Sequence, residues 1–163
     1  MKQLHLFLLT MLSFTFLLTT ACGDDDAPGV DAGSGKVTAT VDGKSWASKS
    51  EKSGAVYGAS MGNHQIQAFA ADGSFIGLTV FGSITAGATI DAAGGIFQAQ
   101  YKPDAAGTEI FAAVGGLGSG TITFSQFSDK KVKGTFQFTG AKANMDGTFT
   151  NLEVKNGSFD FDL

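Results

Sequence analysis

The stretch Val132-Lys133-Gly134-Thr135-Phe136-Gln137-Phe138-Thr139 alternates an apolar or small set (Val132, Gly134, Phe136, Phe138) with a polar set (Lys133, Thr135, Gln137, Thr139). A period of two puts successive side chains on opposite faces, so the segment reads as a β-strand with one buried face. Upstream, Ile122 and Phe124 alternate in the same way, and Asp129-Lys130-Lys131 supplies the turn between the two runs. Downstream, Asp146-Gly147 marks a second turn and Phe149 to Lys155 a further run. Asn156-Gly157 follows, the strongest short hairpin signal a sequence offers, and Phe159, Phe161 and Leu163 alternate after it. The expectation for this half is a four-strand antiparallel meander.

The amino-terminal half carries the same signals more faintly. Val37, Ala39 and Val41 alternate up to Asp42-Gly43, and Lys44-Ser45-Trp46-Ala47 can return as the second arm of a hairpin. Ile66 and Ala68 lead to Asp72-Gly73. Beyond that turn Ile76, Leu78 and Val80 occupy one face of a strand and Phe75, Thr79 and Phe81 the other, which predicts a strand covered on both sides. From residue 36 onward no apolar period of 3.6 is sustained. Only 91–94 and 103–108 leave room for loops of any size, each able to hold a helical turn. The reading is all-β: an antiparallel meander of about nine to ten strands, closed as a barrel or folded as a two-sheet sandwich. Of the fifteen phenylalanines, twelve remain once Phe7, Phe14 and Phe16 are set aside. At ~1.5–3 kcal/mol for each buried ring they suffice for one core, with glycine and alanine at intervening positions letting the rings pack closely.

Ahead of this domain the chain is of another kind. After Lys2, an apolar run of fifteen residues from Leu4 to Leu18 is broken only by His5, Thr10, Ser13 and Thr15. It is too short for the ~20 residues of a permanent membrane helix and of the length read as a signal-peptide core. Thr19-Thr20-Ala21 then precede Cys22-Gly23, small residues before a cysteine, which is the cleavage signature of a bacterial lipoprotein. Cys22 is the only cysteine, so lipidation accounts for the whole thiol inventory. Each buried methylene contributes ~0.8 kcal/mol, so two or three acyl chains anchor where one is marginal. The domain plan is 1–21 signal peptide, 22–35 lipidated cysteine and flexible acidic tether, and 36–163 a single all-β domain. Loss of Lys2 leaves ten basic against fifteen acidic residues, a charge of −5, and every basic residue is lysine. An acidic chain without the planar fork of arginine is a poor match for a phosphate backbone, so nucleic acid is excluded as a partner.

No catalytic set emerges. Gly115-Gly116-Leu117-Gly118-Ser119-Gly120 superficially resembles a phosphate-cradling loop, but Thr121-Ile122-Thr123-Phe124 continues as a strand where a helix would be needed. His64 is the one histidine after the signal peptide. Hydrolysis by serine or zinc calls for a histidine set with oriented carboxylates around it, so neither a metal nor a cofactor is expected. Asp42, Asp72, Asp129 and Asp146 sit beside glycine or lysine in turns, and Asp160 and Asp162 occupy the solvated face of the last strand. Asp24, Asp25 and Asp26 lack the preformed cage that calcium needs and read as a solvated charge run. Trp46, Tyr57 and Tyr101 are the aromatics able to stack on a ligand while keeping a polar handle. Trp46, following a hairpin turn, either caps one end of a barrel or seals its core. Trp46 and His64 are thus the candidate ligand contacts.

Thr40-Val41-Asp42-Gly43-Lys44-Ser45-Trp46, Gly120-Thr121-Ile122-Thr123, Val132 to Thr139 and Val154-Lys155-Asn156-Gly157-Ser158-Phe159 together resemble a family of uncharacterised Bacteroidetes lipoproteins. The acidic run after Cys22 is similar to the export signal of surface-exposed lipoproteins in such bacteria. The resemblance implies a β architecture and an address on the outer membrane, held by lipid and facing the surface. It implies no activity. The expected function is a non-enzymatic, membrane-tethered binding or structural module of the cell envelope, with protein or glycan as partner. The rivals are a lipocalin-like carrier of a small apolar ligand, which needs an internal cavity, and an envelope hydrolase, which needs two converging carboxylates.

Overall fold

A computed structural model describes residues 33–50 and 54–163. Cys22, Asp24, Asp25 and Asp26, with the signal peptide before them, lie outside the described residues. The described chain is all-β, with 11 strands in one antiparallel sheet: β1 Gly33–Val41, β2 Lys44–Ala47, β3 Ala55–Ser60, β4 Asn63–Phe69, β5 Phe75–Phe81, β6 Thr89–Asp91, β7 Phe97–Lys102, β8 Phe111–Ala113, β9 Ser119–Phe127, β10 Lys131–Ala143 and β11 Phe149–Asp162. Two of these, β6 and β8, are three-residue strands, too short to leave a period in the sequence. A 3-10 turn, Ala92–Gly94, fills the first of the two loops with room for one, and the Asp91 side chain caps it by accepting from the Ala93 N–H.

The hydrogen bonding closes on itself. Passing β1, β3, β4, β5, β7, β8, β10 and β11, the ladder returns to β1, because β11 pairs β10 on one side and β1 on the other. β2, β9 and β6 lie off this path, β2 against β1, β9 against β10 and β6 against β9. Every strand along this path is antiparallel to its neighbours, so the connections fall at two poles. One pole carries Gly33, the turn between Ser60 and Asn63, the 82–88 loop and Leu163. The other carries Asp42-Gly43, the 70–74 turn, the 103–110 loop and the 144–148 turn.

The alternation read from the sequence is the one the structure uses. Val37, Ala39 and Val41 are buried, as are Val132, Phe136 and Phe138, and β5 is buried along all but its last residue. Phenylalanines dominate the interior: Phe124, Phe136, Phe159 and Phe161 pack in a chain of ring contacts with centroids 5.3–6.5 Å apart. Glycine faces several of these rings across the ladder, in the pairs Gly35 with Phe161, Gly134 with Phe159 and Gly157 with Phe136. A Cβ on Gly134 would strike the Phe159 ring and the Thr123 carbonyl, so the residue leaves room for a side chain from β11 and for the close-lying backbone of β9.

Asn156-Gly157 requires a correction. It is no hairpin: β11 runs unbroken through it, and the expected four-strand meander is three long strands, β9, β10 and β11. The pairs Val154 with Phe138 and Gly157 with Phe136 differ by three residues on β11 against two on β10, so one extra residue is accommodated as a bulge, with Asn156 at φ 51°. The bulge reverses the parity of the strand. Leu152 and Val154 point inward before it, and Gly157, Phe159 and Phe161 point inward after it. A smaller difference lies at the start of β1, where Gly33 and Ser34 already pair with Tyr57 and Val56, ahead of the expected domain start at residue 36.

Candidate functional site

Trp46 and His64 lie at opposite poles. Trp46, on the short return strand β2, is buried, and its indole Nε1–H donates to Ser74 Oγ at 2.7 Å. Ser74 is itself buried in the turn between β4 and β5. Its hydroxyl donates to Asp72 Oδ1 at 2.6 Å, and its backbone N–H reaches the same oxygen at 2.9 Å. These two bonds, the hydroxyl's first, hold the Asp72 carboxyl below its usual range. Tyr101 stands within reach of Ser74, its phenol pushed up by burial and, further, by the charges of Asp72 and Asp42. The indole thus seals this pole with its polar edge satisfied, and no open face is left on which a ligand could stack.

His64, the second residue of β4, is half-buried. Its Nδ1 is 2.8 Å from the Tyr57 hydroxyl, and the Phe127 ring meets it edge-on with centroids 5.2 Å apart. The Gly82 carbonyl also takes a hydrogen bond from the ring. A carbonyl can only accept, so a ring N–H donates to Gly82, and the tautomer with that proton on Nε2 leaves Nδ1 to accept from Tyr57. Burial lowers the imidazole pKa, and the Gly82 bond opposes it more weakly. The ring is a neutral structural bridge between β4, β3 and the 82–88 loop.

The carboxylates are employed locally. Asp42 accepts from the Glu153 N–H at 2.9 Å, Asp104 from the Ala106 N–H at 2.9 Å and Asp146 from the Thr148 N–H at 3.0 Å. Asp160 pairs with Lys131 and Lys133, and Asp162 with Lys131, on the outside of the sheet. Among the described residues no group of three or more His, Cys, Asp or Glu side chains converges as a metal site.

Two open grooves lie elsewhere, on the outer face of β9, β10 and β11. One groove of about 320 Å³ is lined by Asp91, Ser119, Thr121, Gln137, Thr139 and Lys155, among others. A second of about 440 Å³ adjoins it at Thr121 and Gln137 and continues along Thr123, Thr135, Asn156 and Ser158. Neither reaches Trp46 or His64. Candidate residues chosen from the sequence by chemistry alone missed this face. Its signal is the spacing Thr38/Thr40, Thr121/Thr123 and Thr135/Thr139, which puts hydroxyls on one side of three strands. That the strands lie side by side is a matter of pairing, which periodicity does not reveal. Compared with known proteins, the chain matches no family model, no curated protein and no solved structure.

Proposed function

We propose that the chain is an exported lipoprotein, held on the outer membrane by a lipid on Cys22, whose β-domain serves there as a non-enzymatic binding module. The observation that carries this reading is the sequence Thr19-Thr20-Ala21-Cys22-Gly23 directly after an apolar core of fifteen residues. The resemblance to Bacteroidetes lipoproteins supports it, and Asp24 to Asp26 fit a surface-sorting tag. The fold is compatible with such an anchor: β1 begins at Gly33, so the ten residues 23–32 separate Cys22 from the first strand and from the pole where it starts. The carrier reading draws no support from an interior filled by Phe97, Phe124, Phe136, Phe138, Phe159 and Phe161, and the hydrolase reading none from carboxylates spent on turns and lysines.

The test is incorporation of a clickable fatty acid in cells. The wild-type chain is expected to label and to sediment with membranes, and Cys22→Ala to lose the label and appear in the soluble fraction. Undiminished labelling of Cys22→Ala would sink the proposal.

A further inference from the structure

The outer face of the sheet carries hydroxyls in register across five strands. Thr89 on β6 pairs with Thr123 on β9, Thr123 with Thr135 on β10, Thr135 with Ser158 on β11, and Ser158 with Thr38 on β1. Strands lie ~4.8 Å apart, so four intervals make a row roughly 19 Å long. Its ends are fixed: Thr89 and Thr123 hydroxyls are hydrogen-bonded at 2.8 Å, and so are those of Thr38 and Ser158. A second row runs beside it, from Asp91 to Thr121 to Gln137, resuming at Thr40 and Ser45. Between its halves the bulge at Asn156 breaks the pleat, and both grooves open along these rows. The first row, Thr89 to Thr38, carries no charged side chain. Lys133, Asp160 and Lys36 line up on one side of it, and on the other side the second row holds Asp91 at its β6 end and Lys155 opposite Thr40.

A neutral strip of groups that both donate and accept hydrogen bonds, between bands of mixed charge, matches a ligand with the same two-way chemistry at short, regular intervals. Successive pyranose rings of a glycan meet that description, and their length is close to one strand interval. We propose that this strip binds a neutral glycan chain laid across strands β6, β9, β10, β11 and β1, an assignment that rests on the reading of the domain as an envelope binding module. The strip offers no aromatic face for stacking, so a single sugar gains little over water. Affinity accumulates over several residues in contact at once, helped by hydroxyls already fixed in place.

The experiment is saturation-transfer NMR and calorimetry on the full chain in a non-glycosidic detergent, with maltohexaose, cellohexaose and a β-1,3-linked glucose hexamer as neutral probes and a galacturonate hexamer as the anionic one. Saturable binding of at least one neutral hexamer is expected, weakened about tenfold or more in the double variant Thr123→Val, Thr135→Val and unchanged in Lys142→Gln at the far pole. Valine keeps the branched shape that suits a strand, and an unchanged thermal transition separates loss of hydroxyls from loss of fold. Three results would overturn the assignment: no neutral hexamer saturates, the double variant binds as well as wild type, or the galacturonate hexamer binds equally well. Labelling of Cys22 does not depend on any of these, so a failed glycan test and a failed lipoprotein reading are told apart.

Discussion

His64 couples the fold to pH. Its folded pKa lies below the ordinary 6.5, chiefly because burial penalises the imidazolium, and protonation would also take away the lone pair that Nδ1 offers to Tyr57. A depressed histidine pKa means that the unfolded chain binds more protons between the two values. The stability is therefore whole above about pH 6.5 and is lost as pH falls through the folded pKa. The carboxyls of Asp72, Asp146 and Asp160, all lowered by hydrogen bonds from Ser74, Thr148 and Lys131 respectively, act in a separate window. Their contribution holds above about pH 4 and disappears below it. Thermal unfolding should thus show a midpoint that drops between pH 7.5 and 5, and His64→Gln, which retains an acceptor for Tyr57, should flatten that slope. An unaltered slope in His64→Gln would place the dependence on other groups. At this scale the sequence was a fair guide to Gly134, an inward position without a side chain. It did not announce His64 as a bridge, because its partners come from three separate segments.

At the scale of the element, β11 shows where local signals stop being sufficient. Asn156 adopts a positive φ, as the first turn residue of a tight hairpin also would, so the dipeptide permits a hairpin or a bulge and leaves the chain direction open. Direction is set by the neighbours: β1 and β10 both run on past the site and hold β11 between them. The parity of the apolar residues, Leu152 and Val154 before the bulge and Phe159 and Phe161 after it, suits a two-residue hairpin as well as an extra residue in a continuous strand, so only the pairing with β1 and β10 decides between them. Deleting Asn156 should accordingly turn one of those two pairs outward. At ~1.5–3 kcal/mol for each displaced side chain, the loss is about 3–6 kcal/mol, a large share of a small domain's stability. Asn156→Gly keeps the left-handed conformation and should change stability by a few tenths of a kcal/mol. Urea titration distinguishes the cases, and a deletion variant as stable as wild type would mean that β11 shifts register at little cost. β9, β10 and each half of β11 were legible because alternation persists over many residues, whereas the continuity of β11 was not. β6 and β8 were not, since three residues carry no period.

For the whole molecule, the pairing of β11 with both β1 and β10 makes the two ends of the described chain one structural unit. Nothing in the pattern of residues 33–41 or 149–162 names its partner, which is why alternation could suggest a barrel or a sandwich and the ladder itself had to show the ring. The hydroxyl strip was hidden for the same reason, since it exists only once β1, β11, β10, β9 and β6 stand in order. Closure has a consequence for folding. Contacts between β1 and β11 join residues separated by more than a hundred positions, so their loop-closure entropy is paid late, and the sheet has open edges until they form. Residues 157–163 supply Phe159 and Phe161 to the core and the ladder opposite Gly35 to Thr38. A chain shortened to residue 156 is expected to lose its cooperative urea transition altogether, leaving residues 131–136 of β10 and 34–38 of β1 without their β11 partners and prone to association along that edge. The intact chain should refold slowly in a single concerted phase, as topologies dominated by distant pairings do. A shortened chain that kept a sharp transition with its midpoint near that of the intact one would show that the rest of the sheet is stable as an open structure and that the last strand only covers it.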